Sequence, residues 1–195
     1  MSNSGNSGAI SVKEQVAEAR QVLASVEAST DEILLVSKKI FEHLEAGGTL
    51  ITCGNGGSAL EAQHFAAELI SHFRRDRRAV PAISLPLDYG VLTSIANDFS
   101  FEEVFSRQVE ALAQPGDVVV GISTSGNSAN VAAALKAARA NGATTLSLTG
   151  RNVGVVGEAA DYRLKVDSTE TARVQEGHLM IVHLICEDLD ARLAG

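Results

Sequence analysis

Four hydroxyl side chains and a glycine crowd one short run, Gly121-Ile122-Ser123-Thr124-Ser125-Gly126-Asn127-Ser128. Such a loop, set between an apolar strand and a helix, can hold a phosphate with no lysine or arginine. Hydroxyls donate to phosphate oxygens, and the amides at a helix N-terminus add donors and the positive end of the helix dipole. An N-cap cluster is the plain alternative, since serine and asparagine favour caps. A cap, however, needs one such residue, and the six positions from Ser123 to Ser128 carry five polar side chains.

A second loop, Gly54-Asn55-Gly56-Gly57-Ser58, has glycines that let backbone amides approach a ligand closely. It lacks the third glycine of a GxGxxG fingerprint, and the next strand ends in Leu85-Pro86 without an acidic ribose anchor. No Gly-Lys-Ser/Thr occurs, so a P-loop is excluded as well. A tight strand-to-helix turn is the other reading.

Two helical patterns carry polar residues of interest. His64 and Glu68 are spaced i, i+4 and share a helix face, a spacing common in solvated surface pairs. In the last helical pattern, Leu179, Val182, Cys186 and Leu189 form an apolar stripe, with Gln175 inside it and His183 at its edge. Polar groups placed there cost stability unless partnered. One reading is a core glutamine and histidine bonded to backbone. The other is a site shared with His64 and Glu68, where two imidazoles, a carboxylate and an amide oxygen could bind a divalent metal such as zinc. Asn97-Asp98 reads as a turn after a helical pattern. Arg74-Arg75-Asp76-Arg77-Arg78 reads as a solvated, charged turn or interface.

The elements that must position these residues follow from periodicity. Val12–Glu27 shows apolar residues at Val16, Ala19, Leu23 and Val26, near a 3.6-residue period. Thr30-Asp31 caps a second helix to about Glu45, with Ile33, Leu34, Ile40, Phe41 and Leu44 inward, and Gly47-Gly48 stops it. Strands are expected at Thr49–Cys53, Pro81–Leu85, Asp117–Ile122, Ala143–Leu148 and Tyr162–Val166. Helices are expected from the glycine loop to about Phe73, then at Tyr89–Ala96, Phe101–Leu112, Ala129–Ala140, Val153–Ala160 and Arg173–Leu193. Mostly apolar strands alternating with helices imply an α/β fold, a three-layer sandwich with a parallel sheet covered on both faces. In such sheets ligands sit at the carboxyl ends of the strands, where both loops fall.

The 195 residues fit one domain, here 11–195, after a flexible N-terminal tail over 1–10. The net charge of −8 argues against nucleic acid or an anionic membrane as partner. The start has no signal-peptide pattern, and no stretch approaches the ~20 apolar residues of a membrane span. Cys53 and Cys186 form neither CxxC nor zinc-finger spacing and read as reduced thiols of a cytoplasmic protein.

Taken together, the motifs resemble the sugar isomerase (SIS) domain, and within it the sedoheptulose-7-phosphate, or phosphoheptose, isomerases. The resemblance rests on Cys53 to Ser58, His64-Phe65-Ala66-Ala67-Glu68-Leu69, Asn97-Asp98-Phe99, Phe105-Ser106-Arg107, Gly121 to Asn130, and Gln175-Glu176-Gly177-His178 with His183. It implies a five-stranded parallel sheet of flavodoxin-like order, flanked by helices and preceded by N-terminal helices. It also implies a homotetramer with active sites at subunit contacts. By resemblance, Ser123, Thr124, Ser125 and Ser128 bind the substrate phosphate. Asn55, Gly56, Gly57, Asn97, Asp98, Glu68 and Gln175 contact the sugar. His64, Glu68, Gln175 and His183 hold one zinc ion per subunit, and Glu68 and His183 are the acid/base pair. The implied reaction converts sedoheptulose 7-phosphate to D-glycero-D-manno-heptose 7-phosphate through an enediol, the first step of nucleotide-activated heptose biosynthesis. Ala172 and His72 stand where some family members carry an acidic residue and an arginine. A non-catalytic adaptor of the DnaA initiator-associating type and an isomerase for another phosphosugar are the alternatives. The presence of Glu68 and His183 favours catalysis over the adaptor.

Overall fold

The strands are short, and the central ones are buried along their length because both of their faces are covered. In the computed structural model, which describes residues 10–194, they are β1 (Leu50–Gly54), β2 (Ala82–Ser84), β3 (Val118–Ser123), β4 (Thr144–Thr149) and β5 (Tyr162–Lys165). All neighbours pair in parallel, in the order β2-β1-β3-β4-β5. The sheet is therefore the five-stranded parallel one expected. Of the tail expected over 1–10, only Ile10 lies within the described residues.

Among the described residues, eight α-helices cover the sheet: α1 (Val12–Glu27), α2 (Thr30–Glu45), α3 (Gly57–Ile70), α4 (Tyr89–Asp98), α5 (Ser106–Leu112), α6 (Ala129–Ala140), α7 (Gly154–Glu158) and α8 (Thr171–Leu193). One layer packs α1, α2, α3 and α8 against Val118, Val120, Ile122, Leu146 and Leu148. The opposite layer packs α4 to α7 against Ile51, Cys53 and Val119. This period-two split of β3 is what a strand buried on both faces requires. Gly121 belongs to the second face, and a Cβ there would strike Val131 and Leu135 of α6. The missing side chain lets α6 lie close on β3 and so fixes the serine loop between them.

The structure departs from the sequence reading in several places. In α1 the buried residues are Val22 and Val26, while Val16 and Leu23 stand 47% and 43% exposed. Leu34 in α2 and Leu179 in α8 are also exposed, because the buried faces follow Ile33, Val36, Ile40 and Leu44 in α2 and Val182, Cys186 and Leu189 in α8. Phe101–Leu112 is not one helix. It breaks at Val104-Phe105, both buried, into a 3₁₀ turn (Phe101–Glu103) and α5. Finally, α3 ends at Ile70 rather than Phe73. There the Arg77 guanidinium takes the carbonyls of Glu68 and Leu69, at 2.8 Å each, in place of further helical amides.

Candidate active site

The strand order reverses direction at β1 and β3, so the crevice at their carboxyl ends is the topological switch point where such sheets bind ligands. The glycine loop leaves β1 here and the serine loop leaves β3, with Cys53 paired to Gly121 and Gly54 to Ile122. One side-chain pair joins the two loops. Asn55 and Asn130 exchange amide hydrogen bonds of 2.8 and 2.9 Å across 75 residues, and the Asn130 oxygen also accepts from the Val131 amide at 2.9 Å. Gly56 and Gly57 are exposed at the start of α3, and Gly56 holds a positive φ of 55°.

Inside the serine loop the hydroxyls are arranged for something other than capping. Ser128 occupies the N-cap of α6 but makes no capping bond; its hydroxyl meets Ser123 at 2.8 Å. Of the first-turn amides of α6, those of Ala129 and Asn130 are thus left without a side-chain cap, while that of Val131 is taken by Asn130. Ser125 accepts from the Asn127 amide at 3.1 Å, and Ser125 and Asn127 are exposed while Ser123 is buried. Gly126 has φ 72°, and a Cβ there would collide with the carbonyl oxygens of Asn152 and Val153. The Val156 amide donates to the Gly126 carbonyl at 2.9 Å, so the segment entering α7 braces the loop from behind.

The histidine end is assembled differently. Helices α3 and α8 run side by side and in register. His64 Nε2 meets His183 Nε2 at 2.9 Å, and Glu68 Oε1 stands 3.4 Å from His64 Nε2. All three side chains are partly exposed and open to a ligand. A turn earlier, Glu61 Oε2 approaches His178 Nδ1 to 3.5 Å; His178 is fully buried and neither of its ring nitrogens has a hydrogen-bond partner. At the start of α3, the Gln175 amide fills the space a Cβ on Gly57 would need. Gln175 therefore touches the glycine loop, eight residues, or about 12 Å of helix, before His183. Asn97 and Asp98 lie in the last turn of α4, exposed and joined by a 2.8 Å hydrogen bond. A cleft lined by Asn55, Gly56, Leu60, Gln63, Tyr89 and Phe101 lies between α4 and the glycine loop.

Burial, then the neighbouring His64 and Arg74, hold the His183 imidazole below its ordinary pKa, with Glu68 opposing them in part. A neutral imidazole beside a carboxylate is suited to passing protons between oxygens. The donor chemistry of His64, His183 and Glu68 also fits zinc. Two ligands of a tetrahedral zinc site lie about 3.3 Å apart, given Zn–N near 2.0–2.1 Å. The observed separations of 2.9 and 3.4 Å bracket that edge. As they stand, no three or more His, Cys, Asp or Glu side chains among the described residues are grouped to hold a metal ion. The two imidazoles would exchange their mutual hydrogen bond for the cation.

The arginine-rich turn corrects the sequence reading. Arg74 is exposed, but the Arg77 side chain has no solvent exposure and pairs with the equally buried Asp190 through a 2.7 Å bond. Phe73, just after α3, stacks on the His183 ring with centroids 5.2 Å apart. Sequence reasoning passes over Asn130, Phe73, Arg77 and Asp190. The only signal for the last two is an acidic residue on the apolar face of α8 and an arginine within a charged run.

The SIS domain family matches residues 14–150. The chain is 47% identical over 169 residues to the phosphoheptose isomerase of Roseiflexus sp. (strain RS-1), covering 87% of this chain and 86% of that protein. It is 47% identical over 180 residues to the phosphoheptose isomerase of Geobacter sulfurreducens, covering 92% and 95%. Among solved structures, the phosphoheptose isomerase from Neisseria gonorrhoeae superposes with a TM-score of 0.87 at 39% identity, covering 92% of this chain and 97% of that one.

Proposed function

The chain belongs to the SIS-domain family, and on that premise we propose that it is a phosphoheptose isomerase, interconverting sedoheptulose 7-phosphate and D-glycero-D-manno-heptose 7-phosphate. The observation that carries this reading is the convergence of His64, Glu68 and His183, with the two histidines 119 residues apart in sequence, on helices of which α3 starts in the glycine loop of the switch point. Near-full-length identity to phosphoheptose isomerases supports the same reaction.

The phosphate sits in the serine loop, against the hydroxyls of Ser123, Thr124, Ser125 and Ser128 and the uncapped first two amides of α6, Ala129 and Asn130. The glycine loop, with Asn55, Gly56 and Gly57, and the Asn97-Asp98 pair hold the sugar hydroxyls. Gln175, packed on Gly57, faces the same sugar. The Glu68 carboxylate takes the C1 proton and returns it at C2, through an enediol. His183, held neutral, moves a proton between the C1 and C2 oxygens. A zinc ion held by His64, Glu68 and His183, with Gln175 turned toward it, would polarise those oxygens and stabilise negative charge on them.

Assembly as a homotetramer, with active sites at subunit contacts, is supported by apolar side chains left exposed on three adjacent helices, among them Leu23, Leu34 and Leu184. Free, buried Cys53 and Cys186 support a cytoplasmic location. No helix among the described residues is long and apolar enough to cross a membrane.

The deciding experiment is an isomerisation assay on sedoheptulose 7-phosphate, with and without a chelator, for the parent and for Glu68→Gln and His183→Gln. Turnover by the parent and its loss in both variants is expected. A folded, zinc-supplied parent that turns over nothing rejects the substrate. Activity that survives chelation rejects the metal.

A further inference from the structure

Residues 71–81, between α3 and β2, form an irregular connection with neither helix nor strand. The groups of such a segment that are turned from solvent need partners, and one buried ion pair supplies several of them. The Asp190 Oδ2 atom accepts from three successive amides, Phe73 at 3.1 Å, Arg74 at 2.6 Å and Arg75 at 2.9 Å. Its other oxygen takes Arg77 Nε at 2.7 Å. The Arg77 guanidinium then donates to the carbonyls of Glu68, Leu69 and Arg78, at 2.8, 2.8 and 2.9 Å. Four of the five N–H donors of the fork are used in good bonds, more than the three of a lysine could match.

The two ends of this clamp touch the reacting groups indirectly. Its carboxylate end fixes the turn that presents Phe73 to the face of His183, at a 29° interplanar angle. Its guanidinium end fixes the last turn of α3 through the carbonyl of Glu68 itself. Asp190 also rides on α8, two turns beyond His183 on the same side of the helix. One ion pair therefore spans the backbone of both members of the acid/base pair.

We propose that Arg77 and Asp190 are positioning residues of the isomerase, setting the Glu68-to-His183 geometry through the Glu68 carbonyl and the Phe73 stack. The proposal rests on the isomerase reading and adds to it two residues that touch no substrate.

The test compares Arg77→Lys, Asp190→Asn, Phe73→Ala and Phe73→Leu with the surface control Arg78→Ala, whose side chain pairs with Glu45 in solvent. The readouts are steady-state kinetics on sedoheptulose 7-phosphate and the ring-proton resonances of His183, which the stacked Phe73 shifts. In Arg77→Lys and Asp190→Asn, kcat is expected to fall about 10- to 100-fold, with KM within about twofold, because the phosphate is held by a different loop. The ring-current shift on His183 collapses in both. Arg78→Ala matches the parent in every readout. Folded Arg77→Lys and Asp190→Asn proteins with parental kcat and unmoved His183 resonances overturn the proposal.

Should either buried substitution prevent folding, the Phe73 pair decides. Phe73→Ala is expected to lower kcat selectively, and Phe73→Leu to restore most of it by covering His183 again. Equal, parental kcat in both overturns the proposal. A parent inactive on the heptose phosphate sinks the proposed function alone, since the His183 resonances still report the positioning.

Discussion

The two ends of the candidate site are built on opposite principles. The phosphate end is local. Strand β3, the loop Thr124 to Ser128 and helix α6 are consecutive, and the loop's hydroxyls partner within it, as Ser123 does with Ser128. The chemical end is assembled from distance. His64 and Glu68 come from α3, His183 from α8, and the clamp behind them joins Arg77 to Asp190 across 113 residues. A site divided this way separates its tasks. Holding the anion depends on backbone conformation, whereas proton transfer depends on how two helices pack. Substitutions at one end should therefore move binding, and substitutions at the other should move turnover.

The largest expected effect is at the chemical end. Glu68→Gln keeps the shape and removes the base, so kcat should fall by about 10²–10⁴-fold with KM nearly unchanged. A matching rise in KM would break the division of labour. Next is the phosphate end. Ser123→Ala combined with Ser128→Ala removes two donors, and KM should rise about tenfold or more while kcat is retained, given ~1–1.5 kcal/mol per lost hydrogen bond. Inhibition by inorganic phosphate should weaken in parallel.

Gly126→Ala probes the backbone rather than the hydroxyls. Its positive φ and the carbonyls of Asn152 and Val153 leave no room for a Cβ. We expect a loss of about 1–3 kcal/mol in urea unfolding, together with a raised KM.

The smallest effect is a pH dependence. Burial works to raise the Asp190 pKa, but the amides of Arg74 and Arg75 and the Arg77 guanidinium outweigh it and hold it below its ordinary value of 3.8. The stability it contributes is thus fully present above its unfolded pKa and is lost as pH falls through the lower folded value. The stability gap between the parent and Asp190→Asn should narrow as pH drops below about 4 in thermal melts. A gap independent of pH would show that the carboxylate charge is not what holds the turn.

Much of this was legible in sequence, and where it failed the reasons are specific. The bounds of α1, α2 and α6 follow from periodicity, because that signal lies within each segment; the cap expected at Thr30-Asp31 does not form, since Thr30 is already helical and Ser29 before it makes no side-chain bond to the helix start. The inward face of α1 does not follow. Its apolar residues Val16 and Leu23 face outward, and only docking on α8 selects Val22 and Val26. The end of α3 was missed because Arg77, from beyond the helix, takes its final carbonyls. The charged run around Arg77 read as solvated because nothing local marks one arginine of four for burial.

The sequence by itself determined the parallel α/β sheet, the serine loop and the residue types of the site, since each depends on short-range pattern: strand hydrophobicity, helix period, and hydroxyls next to a helix start. Tertiary structure alone decided which polar residues meet. The register of α3 against α8 brings His64 to His183 and sets Gln175 on Gly57. The burial of Asp190 creates the pocket that claims Arg77. Those are contacts between segments more than a hundred residues apart, chosen by packing of the whole core, and no local propensity encodes them.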